Sequence, residues 1–81
     1  MQPEALKALL EERLPECQFL VQGDGRHFEV VAIGDVFADI KSPVKKQQYV
    51  YAALKQEFAD DTVHAVQLKT MTRAEYAALN A

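Results

Sequence analysis

Two histidines and one cysteine carry the ligating chemistry of this chain. His27 follows a glycine turn, Gly23-Asp24-Gly25-Arg26, and His64 sits near the start of the run Val63-His64-Ala65-Val66-Gln67-Leu68-Lys69-Thr70. That run reads as a short strand. His64, Val66 and Leu68 fall on one face at period two, and Ala65 and Gln67 on the other. An imidazole at the head of an apolar row is either a tethered core residue or a ligand at the rim of a sheet. Two imidazoles are too few for a closed zinc site, which takes four ligands, so any site they join is completed by a partner. His27 and His64 can approach each other if both strands present their ends to one side. Cys17 is a softer ligand candidate. It opens a strand on the face of Phe19 and Val21, where a small buried apolar residue is equally at home. The lone cysteine rules out an internal disulfide and any iron–sulfur cluster built by this chain alone.

The basic residues offer a second chemistry. Lys41 precedes a helix start and Lys45 and Lys46 occupy its first turn, where cations oppose the helix dipole. With Arg26, and with Lys69 if its strand end lies close, they form a candidate patch for an anionic partner such as DNA or RNA. The bland alternative is a solvated helix face. The whole chain has 12 acidic and 9 basic residues, a net charge of −3, which gives no general attraction to nucleic acid or membrane. Catalytic constellations are missing: serines and threonines read as caps and turns. Gly23-x-Gly25 is too short for a phosphate loop and is followed by a strand. The pairs Glu11-Glu12 and Asp60-Asp61 read as solvated. No catalytic residue is assigned, and a non-enzyme is expected.

These candidates must be positioned by one domain, because 81 residues allow one modest core. No apolar run reaches the ~20 residues of a membrane helix, and the amino terminus lacks the pattern of a signal peptide. The expectation is a cytoplasmic protein. Pro3, Glu4 and leucines 6, 9, 10 and 14 predict a helix over residues 3–14, stopped by Pro15. Residues 17–22 and 27–33 predict a hairpin around the glycine turn, with Phe28 and Val30 on one face and Glu29, Val31 and Ile33 on the other. Residues 34–41 form an irregular crossing anchored by Phe37 and Ile40. Ser42-Pro43 starts a second helix with buried positions Val50, Tyr51, Leu54 and Phe58, ending near Asp60-Asp61. The strand of His64 follows. Thr72 caps a last helix, Arg73 to Leu79, with Glu75 in capping-box position. The order α-β-β-α-β-α implies an α+β fold with a three-stranded mixed sheet. Its second and third strands are parallel, and helices pack on one face.

These segments, in this order, resemble the BolA-like family, nearest its short IbaG-type bacterial branch. Gly23 to Val30 resembles the family's hairpin. Val44-Lys45-Lys46-Gln47-Gln48 and Val50-Tyr51-Ala52-Ala53-Leu54 resemble its central helix. His64 to Thr70 resembles its signature strand, and Thr72 to Tyr76 its closing helix. Two departures stand out: Ala38-Asp39-Ile40 lengthens the loop where the family has an acidic residue and glycine, and Tyr76 replaces a frequent tryptophan. The resemblance implies a type II KH-like fold and a non-enzymatic adaptor that partners a monothiol glutaredoxin. In such pairs a [2Fe–2S] cluster is bridged between the proteins. His64 matches the family's ligand histidine, His27 is the candidate second ligand, and Cys17 the weaker one. The free protein is expected as a monomer or weak homodimer. The alternative reading is a nucleic-acid-binding transcriptional regulator using Arg26, Lys41, Lys45, Lys46 and Lys69.

Overall fold

The computed structural model describes residues 1–80. Helix α1 (Pro3–Arg13) places proline in its first turn and buries Leu6 and Leu10. Strands β1 (Gln18–Gly23) and β2 (His27–Ile33) pair antiparallel through the glycine turn, with Gly23 opposite Phe28 and Gln18 opposite Ile33. A 3₁₀ turn, Asp35–Ala38, then leads to α2 (Pro43–Ala52), α3 (Lys55–Ala59), β3 (Ala65–Met71) and α4 (Arg73–Leu79). The sheet order is β1-β2-β3, and β3 lies parallel to β2, as the helical crossover requires.

Alternation along the strands builds the core. Phe19, Phe28, Val30, Ala32 and Leu68 face Leu6, Leu10, Val50 and Leu54 from the helices. Burying one such large side chain is worth about 1.5–3 kcal/mol. Phe37 is buried, and Ile40 packs partly against the same cluster, so the crossing is anchored where the sequence places it. The opposite face stays open: Leu20, Gln22, Glu29, Gln67 and Lys69 line a shallow hollow on it. Ile33 departs from the expected alternation. It is only 2% exposed, at the end where β2 and β3 run into their following turns.

Both predicted caps form. The Ser42 hydroxyl accepts from the Lys45 amide at 3.3 Å. Thr72 and Glu75 cap reciprocally: the Glu75 amide donates to Thr72 Oγ1 at 3.1 Å and the Thr72 amide to Glu75 Oε1 at 2.7 Å. The second helix differs from its expected single span to about residue 60. It breaks at Ala53 and Leu54, whose amides donate three residues back to Val50 and Tyr51. Neither proline nor glycine causes the break. The Ala53 carbonyl is taken instead by the Arg13 guanidinium of α1, Nη1 lying 2.6 Å away.

Candidate functional site

Parallel pairing decides where the two histidines lie. His27 opens β2 and stands opposite Ala65, the first residue of β3, so His64 immediately precedes its neighbour. His64 thus sits one residue outside the strand that the sequence assigned it to. Adjacent strands and one residue of stagger put the two Cα atoms roughly 6 Å apart. The Ala65 amide donates to the Arg26 carbonyl at 3.3 Å, which stitches this end together. Both residues are exposed.

Their rings flank the rim from opposite faces. His27 lines a hollow with Gln22, Glu29 and Gln67 on the open face. His64 lines a groove with Tyr51, Phe58 and Val66 on the helical face. Tyr51 and Phe58 pack edge to face, centroids 5.8 Å apart, and the Tyr51 hydroxyl donates to the Val66 carbonyl at 3.2 Å. Among the described residues no protein group hydrogen-bonds the His64 ring, so it is not a tethered core histidine. Around His27, Asp24 makes a tight Asx turn: Oδ1 accepts from the amides of Arg26 at 3.0 Å and His27 at 2.9 Å. These two bonds hold the Asp24 carboxyl below the usual carboxylate range. Its other oxygen lies 3.9 Å from His27 Nδ1.

The other candidates are not brought to this rim. Cys17 lies beside Gly34, past the opposite end of β2, roughly 20 Å along the strand from His27. It is buried, and burial pushes its thiol up to about 11, away from the ligating thiolate. Cys17 therefore lies apart from the histidine rim. The five cations are also divided. Arg26 is at the histidine end. Lys41, Lys45 and Lys46 follow the far end of β2. Lys69 points onto the open face opposite Val31. The start of α2 follows the end of β2 opposite the hairpin turn, so one continuous patch is not assembled.

The strongest polar constellation was not anticipated. Glu57 is a buried carboxylate, 8% exposed, gripped by both Arg13 nitrogens at 2.6 and 3.0 Å. A carboxylate three residues after Leu54 on the buried helix stripe was the available signal. Nothing in the sequence pointed to Arg13, 44 residues away. The Arg13 hydrogen bonds hold Glu57 below the usual carboxylate range, and the Tyr49 hydroxyl and Thr72 amide do the same for Glu16 and Glu75. A depressed folded-state pKa adds stability above the unfolded value, near 4.3, that is lost as pH falls through the folded value. The melting temperature is therefore expected to hold from pH 7 to about pH 5 and to fall below about pH 4. A scan that stays flat to pH 2.5 would refute these assignments.

The rim presents two imidazoles, one on each face of the sheet. Among the described residues no three His, Cys, Asp or Glu side chains converge on a metal position. Residues 4–75 match the model of the BolA-like protein family, and the chain belongs to that family. It is 43% identical over 77 residues to the acid stress protein IbaG of Escherichia coli K12, covering 95% of this chain and 90% of that one. A bolA protein homologue from Coxiella burnetii superposes with a TM-score of 0.83 at 32% identity, over 95% and 97% of the two chains. Yeast Fra2 superposes with a TM-score of 0.74 at 26% identity, over 95% and 85%.

Proposed function

We propose that this BolA-like protein is a non-enzymatic adaptor that completes the ligand set of a [2Fe–2S] cluster carried by a monothiol glutaredoxin. The observation that carries this reading is the pairing of two exposed histidines at the shared end of parallel β2 and β3. A cluster shared between chains needs incomplete ligand sets on both sides, and this rim offers two imidazoles. Replacing thiolate by neutral imidazole at one iron raises the reduction potential and makes ligation sensitive to mild acid, because imidazolium cannot bind. His64 and His27 hold the iron in this reading, with their rings reaching past the strand ends from the two faces. Asp24 fixes the His27 backbone.

The test mixes the protein with a cluster-loaded monothiol glutaredoxin and records visible circular dichroism. Wild type is expected to change the spectrum. His64→Ala is expected to abolish the change, and His27→Ala to weaken it. An unchanged wild-type spectrum, or an equal change with His64→Ala, defeats the reading.

A further inference from the structure

A rim that presents a ligand must hold its backbone still, and the segment before His64 is tied at Asp60, Thr62 and Val63. Asp60 Oδ1 accepts from both the Thr62 amide at 3.0 Å and the Thr62 hydroxyl. Asp61 takes a left-handed backbone, φ 63°. The Val63 side chain is 1% exposed, and its amide donates to the Glu57 carbonyl at 3.2 Å. Glu57 is thus the residue on which this turn closes, one position before the histidine.

Glu57 is itself held from outside its helix. A buried carboxylate is costly unless its oxygens are matched. Arg13 matches both and also takes the Ala53 carbonyl at the helix break. One guanidinium therefore fixes the end of α2, the body of α3 and, through the Glu57 backbone, the start of the His64 segment. Lysine carries the charge but not the planar fork that serves three acceptors.

We propose that Arg13 and Glu57 are positioning residues for His64: the Arg13–Glu57 ion pair locks α3 so that Val63 is anchored and the imidazole is presented at a fixed place on the rim. This rests on the reading of His64 as a ligand. Neither residue touches the iron. Their contribution is preorganisation of a ligand, of the kind that outer partners of metal sites supply.

Two measurements test it. The first uses the free protein and needs no cluster. Amide hydrogen exchange of Val63 is expected to speed up about tenfold or more in Arg13→Lys and Glu57→Gln, while the amides of Val30 and Ala32 keep their relative protection. Lys7→Ala, which removes an exposed ion pair with Glu11 on the same helix, is the control and leaves Val63 unchanged. Unchanged Val63 exchange in Arg13→Lys, or an equal rise at all three amides, overturns the anchoring.

The second titrates cluster-loaded monothiol glutaredoxin well below the melting temperature. Arg13→Lys is expected to reach the wild-type spectrum at about tenfold higher protein concentration. His64→Ala never reaches it. If Arg13→Lys titrates as wild type while His64→Ala is inert, the positioning role is overturned and the ligand reading stands. If wild type itself gives no change, the ligand reading falls and the positioning role with it, and Val63 exchange still reports whether the lock exists.

Discussion

Phe37→Ala is expected to cost about 3–5 kcal/mol of folding stability. For a domain of this size the total is on the order of 4–12 kcal/mol, so this one ring carries about a quarter or more of the margin. Phe37 sits in the 3₁₀ turn between β2 and α2 with 1% of its surface exposed. Its ring meets Tyr49 edge to face, centroids 5.9 Å apart at 88°. Truncation removes that pairing and leaves a cavity in the core cluster. The melting temperature should fall by roughly 15–30 °C. Val44→Ala, at an exposed side chain in the first turn of α2, should stay within about 0.5 kcal/mol of wild type. Urea denaturation of the two variants decides the matter. A Phe37→Ala loss under about 1 kcal/mol would mean that the crossing segment does not seal the core. Phe37 lies beyond the far end of β2 from His27. On the proposed function, the folded fraction of the variant should therefore still change the glutaredoxin spectrum, because the lost ring lies at the end of the sheet away from the two histidines.

The sequence made the frame legible because local chemistry and the tertiary fold agree there. Pro3, Ser42 and Thr72 mark helix starts, and Gly23 and Gly25 mark the hairpin. Alternation at Phe28–Val30 and Val66–Leu68 sets the buried face. The parallel pairing of β2 and β3 follows from the intervening helix, and it alone brings His27 and His64 to one end. What escaped was non-local. The break at Ala53 carries no breaker residue and depends on a guanidinium from α1. The burial of Cys17 depends on its packing against Gly34, where an added Cβ would lie 2.8 Å from the sulfur. Each of these is decided by contacts between distant segments, which periodicity does not encode.

Gly23→Ala is expected to damage both the fold and the rim. A Cβ at this position would lie 2.3 Å from the His27 carbonyl oxygen and 3.0 Å from the Phe28 Cα and Cδ1 atoms. None of these can step aside: the His27 carbonyl accepts from the Asp24 amide, and Phe28 is a buried core ring. The hairpin end must splay, at a cost of about 1–3 kcal/mol from overpacking alone. The displacement falls on His27 itself, because the clash is with its own backbone. Gly25→Ala is the control that strains the backbone without the clash. There the added Cβ meets only the Met1 carbonyl oxygen at 3.4 Å, and its cost is that of an alanine at φ +96°. That penalty is on the order of 1–3 kcal/mol. The two variants can therefore lose similar stability for different reasons. If the rim geometry matters to ligation, Gly23→Ala should weaken the response of cluster-loaded glutaredoxin as His27→Ala does. Gly25→Ala, measured at the same folded fraction, should retain that response. Equal responses from the two glycine variants would show that the position of His27 does not matter to the proposed partner.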